Sequence, residues 1–220
     1  MDNATVAQKV RSAIPRTARE VIRERNPDGT RRLSDYYVGR QLLGRRYWTA
    51  ETVVELEYGI RDGKMHGRFC MWHENGALLH KTHYLNGLEH GLSRQYDRSG
   101  NLIGTYRMIR GTGIDLWYLG KGRLSEERHC KDGLRHGFER WWRDSRTVFE
   151  ESHFKQGVEH GIIRRWNRSG ILRRGYPQYF VNGNRVTKKQ YLQACCADNT
   201  LPRFVDSENR PQRKKPKPAL

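Results

Sequence analysis

The chain has no apolar run long enough to cross a bilayer, and its N-terminus has no uninterrupted hydrophobic stretch of signal-peptide length. A transmembrane segment is therefore not expected, and the cytoplasm is the expected compartment. Cysteine is scarce: Cys70, Cys130, Cys195 and Cys196 form no CxxC pair, and adjacent Cys195 and Cys196 cannot easily bridge each other. That pattern argues against a disulfide framework or a zinc site and for a reducing environment. Catalytic motifs are missing as well. There is no GxSxG, no HExxH and no convincing Cys-His pairing, and GKGRL (120–124) is too short for a P-loop. Glu126-Glu127 and Glu150-Glu151 are adjacent pairs whose members point to opposite faces of a strand, so neither pair can form an acid/base dyad. The expectation is a non-catalytic protein with no cofactor and no metal, and a hydrolase is kept in reserve only because repeat folds can host unexpected sites.

Acidic residues are also short. Against 24 Asp plus Glu stand 42 Lys plus Arg, a formal charge of +18, which attracts anions in a salt-dependent way: nucleic acid, anionic lipid or an acidic protein. Only 35% of the chain is hydrophobic, while 10% is aromatic and glycine is frequent. That balance favours a thin sheet studded with rings over a thick core.

What dominates the sequence is an internal period. DGKMHG (62–67), NGLEHG (86–91), DGLRHG (132–137) and QGVEHG (156–161) share one signature. Its second glycine recurs at Gly44, Gly67, Gly91, Gly113, Gly137 and Gly161, in steps of 22 to 24 residues. Two degenerate units, around Gly39 and Gly111, keep the beat and lose the histidine. Five residues after the second glycine comes a ring (Trp72, Tyr96, Tyr118, Trp142, Trp166), then usually a glycine, then an aliphatic residue (Leu78, Leu102, Leu124, Val148, Leu172). Asn-Gly and Asp-Gly supply the positive φ of tight hairpins, and stretches such as DRSG (97–100) turn the chain back. The fold class read from this is mainly β: an antiparallel meander of about six tandem hairpins, with short helices at both ends. Alternation puts Leu92 with Tyr96, Phe138 with Trp142 and Ile162 with Trp166 on one face, in rows whose equivalent rings lie about 10 Å apart.

Four segments follow. Residues 1–32 read as a basic amphipathic helical cap, from the stripe Val6, Val10, Ile14, Ala18, Val21 and Ile22. Residues 33–185 are the hairpin array. Residues 186–204 are a C-terminal cap in which Thr187 and Gln190 open a helix as a capping box, running to about Ala197. Residues 205–220 are a Pro-rich basic tail expected to be disordered, with Arg210, Arg213, Lys214, Lys215 and Lys217 as an anion-binding run.

The recurrent His66, His90, His136 and His160 are too widely spaced to share an ion, so they are expected to satisfy backbone groups near their own turns. Arg94, Arg140 and Arg164 share the parity of the rings and lie between the apolar rows. They are candidates to grip phosphates among stacked bases, or else to pair across strands with Glu126 and Glu150. Trp117 and Trp141 point to the other face and, with Arg143, are the leading protein-contact candidates, although packing by an end helix would explain them equally.

The element Y-x-N-G-x-x-H-G followed by a ring, Gly-x-Leu and another ring, clearest at 84–106, resembles the MORN repeat and is similar to its bacterial variant in the YwqK-type antitoxin family of toxin–antitoxin systems. The resemblance spans about 36–183. It implies a scaffold that binds or neutralises a protein partner, antitoxin-like or immunity-like, with electrostatic binding of nucleic acid or anionic membrane as the alternative.

Overall fold

The structure, a computed structural model, describes residues 12–50, 52–144 and 146–211. It divides into two units, the first spanning residues up to 110 together with 120–122 and the second the remainder. In the first, β1 (Arg19–Arg25), β2 (Arg31–Val38), β3 (Gln41–Ala50), β4 (Val53–Arg61), β5 (Lys64–Trp72), β6 (Leu78–Leu85), β7 (Leu88–Glu89), β8 (Gly91–Tyr96) and β9 (Leu102–Ile109) pair antiparallel in chain order. In the second, β10 (Thr112–Leu119), β11 (Arg123–Lys131), β12 (Leu134–Trp142), β13 (Val148–Lys155), β14 (Val158–Glu159), β15 (Gly161–Arg165), β16 (Gln178–Val181) and β17 (Asn184–Val186) do the same. The protein is mainly β, a meander of hairpins, as the period requires.

Each hairpin turn begins on a residue forced to positive φ: Asp62, Asn86, Arg110, Asp132, Gln156 and Asn182 all lie near +50°, each followed by a glycine. Such turns expose two N–H groups that cannot join the ladder, and from the Asn86 turn onward each hands one or both of them to the hairpin before it. The glycine N–H donates to a carbonyl one repeat back: Gly87 to Met65, Gly133 to Gly111, Gly157 to Arg135 and Gly183 to Glu159, at 2.8–3.0 Å. The preceding N–H donates to a histidine Nδ1: Asn86 to His66 at 3.4 Å, Arg110 to His90 at 3.2 Å and Asn182 to His160 at 3.1 Å. Where the degenerate unit lacks histidine, Thr112 Oγ1 accepts from Asp132 N–H at 3.0 Å. At His136 only the backbone half of this rung forms. The histidines do satisfy backbone groups, but those of the next repeat rather than of their own turn. They reach that far because the ladder is bulged beside each His-Gly pair: Ile60 pairs with Met65 and Tyr58 with Phe69, so three residues face Gly59.

At the opposite ends of the strands, each ring meets its aliphatic column directly: Trp72 lies across from Leu78, Tyr96 from Leu102, Tyr118 from Leu124, Trp142 from Val148 and Trp166 from Leu172. Burial along this row is uneven. Trp142, Val148 and Trp166 are buried, whereas Tyr96 is half-buried and Leu102 is 54% exposed. On the other side of the first unit, Thr82, Ser93, Gln95, His80, Tyr106 and Met108 are buried. There Phe69 packs against Tyr58, His80 and Tyr84 at centroid distances of 5.7–6.3 Å.

The two ends differ from expectation in instructive ways. Ala18 precedes a strand, and Val21 and Ile22 lie within β1, not in a helix; Val6 and Val10 lie outside the described residues. Arg19–Arg25 alternates well enough to pair with β2 through Arg31–Glu20 and Arg23–Asp35. The NPDG turn (26–29) closes that hairpin in the same way as DRSG, with Gly29 N–H donating to Asn26 O. The array thus starts one hairpin earlier than residue 33. At the other end α1 (Lys188–Ala197) carries the expected capping box between Thr187 and Gln190. Its Tyr191 is fully buried with Ile162, Tyr179 and Leu201. The chain beyond Phe204 is not all tail. Asp206–Asn209 forms a 3-10 turn whose Glu208 and Asn209 bond Arg164, and the Asn209 carbonyl accepts from Trp166 Nε1.

Two expectations follow. Gly111→Ala would put a Cβ 2.4 Å from the Gly133 nitrogen at φ +74°, whereas Gly76→Ala, at φ +79°, meets nothing within 4 Å. Urea unfolding should show a loss of about 1 kcal/mol for Gly76→Ala and well over 2 kcal/mol for Gly111→Ala; equal losses would contradict the stacked-turn geometry. Burial pushes the His80 and His153 imidazoles down to about 4. The unfolded chain, with rings near 6.5, then takes up protons that the folded chain refuses. Stability should therefore fall as pH drops from about 6.5 towards 4, by up to about 3 kcal/mol per ring. His80→Gln or His153→Gln should flatten that fall, and identical unfolding midpoints at pH 7 and pH 4.5 in the parent protein would refute it.

Candidate functional site

Residues directly opposite one another in an antiparallel ladder point to the same side, so the register defines rows of side chains across the strands. In the second unit one such row is Leu116, Glu127, Arg140, Glu151 and Arg164. Its charges alternate, and each is used. Arg140 donates to Glu151 at 2.8 Å and reaches Glu127 at 3.4 Å; Arg164, fully buried, donates to Glu151 and to Glu208 at 3.2 Å each. His129 adds a contact to Glu127 at 2.8 Å. The partners of Arg140 and Arg164 are thus Glu127 and Glu151, not Glu126 and Glu150, which project to the other side. There Glu126 pairs with Arg128 and Glu150 with Arg165.

The matching row of the first unit is Ser34, Arg46, Glu57, Cys70, Lys81, Arg94 and Thr105. It begins in the same manner, with Arg46 donating to buried Glu57 at 2.7 Å while Ser12 Oγ and the Ala13 N–H donate to the same carboxylate. Beyond Glu57 the alternation breaks. Cys70 stands where the repeats at Arg94, Arg140 and Arg164 put arginine, and Lys81 stands where those at Glu127 and Glu151 put glutamate. Lys81 and Arg94 therefore sit side by side, and neither has an ion pair or side-chain hydrogen bond among the described residues. One step along, on the same side, are the opposed pairs Arg68–His83 and Leu92–Arg107.

The local field registers this surplus of positive charge. Burial, and then the cations Arg68, Lys81 and Arg94, hold the His83 imidazole below its ordinary value. Cys70 is no nucleophile: burial and then Glu57 push its thiol up to about 12. Trp72 and Tyr96 share the side of this row, and Trp72 lines a hollow of about 500 Å³ with Ser12, Arg46 and Glu57. Both rings are half-buried, and neither makes a ring or cation contact among the described residues. Trp48, one repeat earlier, by contrast has Arg31 stacked on it at 4.1 Å.

Of the site candidates read from sequence, the structure separates Arg94 from Arg140 and Arg164. The first is half-buried and has no ion pair among the described residues; the other two are structural. Trp141 is 38% exposed but stands between Glu126 and Glu150, and Trp117 is half-buried opposite Glu126. Arg143 does not project as an anchor, since both terminal nitrogens donate to the Asn167 carbonyl at 3.2 Å and tie one turn to the next. Arg210 is exposed, while Arg213, Lys214, Lys215 and Lys217 lie outside the described residues. Lys81, Arg68, His83 and Arg107 were missed. The signal for Lys81 was in the sequence, because position 14 after the second glycine holds Glu127 and Glu151 in other repeats.

No family model matches the chain, and no curated protein matches it. Among the described residues, no helix is long and apolar enough to cross a membrane, and no three His, Cys, Asp or Glu side chains are grouped so as to hold a metal ion.

The two rows should respond oppositely to the same substitution. Arg140→Met takes one partner from each of the buried carboxylates, leaving Glu127 to His129 and Glu151 to Arg164, and should cost about 2–3 kcal/mol. Arg94→Met breaks no pair and should shift stability by about 0.5 kcal/mol or less. Comparable losses in urea unfolding would show that Arg94 is a structural residue after all.

Proposed function

We propose that this chain is a non-catalytic repeat scaffold that captures a polyanionic macromolecule on the Lys81–Arg94 face of its first unit. The observation that supports the reading is the adjacency of two unpaired cations, reinforced by Arg68 and Arg107, in a row whose counterpart in the second unit is fully neutralised. A fold that needs its buried charges paired has left these open to solvent, where an anionic partner can displace counterions. An acidic protein, as an antitoxin-like or immunity-like scaffold would require, fits that chemistry, as does a nucleic acid or an anionic lipid surface. The resemblance to MORN repeats favours a scaffold and leaves the partner open. The formal charge of +18 adds long-range steering. The basic run from Arg213 onward strengthens capture without defining its place.

Binding of labelled polyphosphate by the full chain, followed by anisotropy between 50 and 200 mM salt, tests this. Affinity should fall steeply with salt. Lys81→Glu combined with Arg94→Glu should weaken it at least tenfold, while truncation after Pro211 weakens it less. The site and its titration are linked, so polyphosphate should also raise the pH at which His83 titrates by NMR. Parent-like affinity in the charge-reversed variant would overturn the proposal.

A further inference from the structure

We infer that the polyanion is a single-stranded nucleic acid, with phosphates on Lys81, Arg94 and Arg107 and bases against Trp72 and Tyr96. This rests on the polyanion reading above and narrows it to one partner class.

The charges alone would serve an acidic peptide equally well. What they do not explain is the pair of idle rings beside them. Trp72 and Tyr96 occupy equivalent positions in consecutive repeats, two strand spacings or about 10 Å apart. Tyr96 stands two residues beyond Arg94 on the same strand, and Trp72 two beyond Cys70, so both rings flank the cation row on its own side. In the second unit two of the three equivalent rings are consumed: Trp142 and Trp166 are 4% and 2% exposed, and Trp166 is bonded to the C-terminal segment, while Tyr118 is half-buried. In the first unit Trp72 and Tyr96 are half-buried rather than enclosed, and Leu102 opposite Tyr96 is exposed. A row of cations along an edge of stackable rings matches a sugar–phosphate backbone with bases turned to one side, and it is sequence-tolerant because every base has a π face.

Other polyanions use this surface less fully. A duplex hides its base faces, and among the described residues this face presents no helix or projecting ribbon to enter a groove, so a duplex would meet it through phosphates alone. A polyglutamate segment or an anionic bilayer likewise engages the cations and leaves the rings idle. The two rings therefore discriminate among partners that share a charge.

The experiment compares four labelled probes at equal salt on the full chain: a twelve-nucleotide oligo-dT, a duplex of the same length, polyglutamate of matched charge, and vesicles containing phosphatidylserine. Tyr96→Leu removes a stacking face without touching charge, and Tyr96→Phe restores it. Thermal unfolding of each variant checks that the fold persists. Oligo-dT is expected to bind tightest, to lose roughly tenfold with Tyr96→Leu, to recover with Tyr96→Phe and to collapse with Lys81→Glu/Arg94→Glu. Equal binding of oligo-dT and polyglutamate, or of oligo-dT and duplex, with no effect of Tyr96→Leu, overturns the single-strand assignment while leaving the polyanion reading standing. Preference for the vesicles over oligo-dT overturns it too. Failure of the charge reversal to weaken any probe overturns both.

Discussion

Every hairpin in this chain has the same unmet need: two N–H groups at a turn held in positive φ, pointing away from their own ladder. The residues that begin these turns are exposed, so water can serve the donors in an isolated hairpin, and each bond to a neighbouring hairpin adds about 0.5–1.5 kcal/mol net to a unit that is marginal alone. The need is met by the preceding hairpin, through a carbonyl and an imidazole or hydroxyl. This makes stacking directional and local, and it explains why the period survives even where residues within it change. Thr112 in place of histidine is the clearest case, because the acceptor is kept while the residue type is lost. The positive-φ turns and the bulges beside His-Gly exist to put donor and acceptor in line. The strands between them are then free to vary.

That freedom is what the central row uses. With turn stacking fixing which residues oppose each other, the identity of a single column decides whether adjacent strands are glued or left charged. Glutamate at 127 and 151 between arginines at 140 and 164 gives alternation and burial. Lysine at 81, beside arginine at 94, gives repulsion. With both groups half in water the repulsion amounts to about 1 kcal/mol or less, which a sheet held by its turns tolerates. The same kind of ladder thus carries an internally paired row in one unit and adjacent like charges in the other.

The period made the hairpins legible, because glycine and Asn-Gly or Asp-Gly spacing reports backbone conformation directly. The C-terminal helix was equally plain, since Thr187 and Gln190 each satisfy the other's backbone. The N-terminal strand was misread for a physical reason. Val21 and Ile22 fit a helical stripe by spacing, but the stripe's residues find their partners across a hairpin, through Glu20 with Arg31 and Arg23 with Asp35, and spacing alone is blind to those pairs. The arginine partners failed similarly. Glu126 and Glu127 are equivalent in composition, and only the register, one residue either way, decides which of them faces Arg140. Lys81 was visible as an exception in its column, yet its meaning depended on knowing that Arg94 lies directly opposite.

The ends of the charged rows sharpen the case for an external partner. In the first unit the Ser12–Ala13 segment folds back onto Glu57, supplying donors to the carboxylate at that edge of the row. In the second unit Glu208 and Asn209 fold back onto Arg164, supplying acceptors to the cation at its edge. Each segment brings groups of the sign its target lacks, so the chain completes these rows from its own termini wherever a buried charge demands it. Among the described residues, Lys81 and Arg94 receive nothing of the kind. They can remain bare because water reaches them. For the same reason an anion arriving there displaces loosely held counterions and solvent, not an internal bond. A row that the protein neutralises internally has its charges already paired, and the uncompensated charge lies where that self-pairing stops.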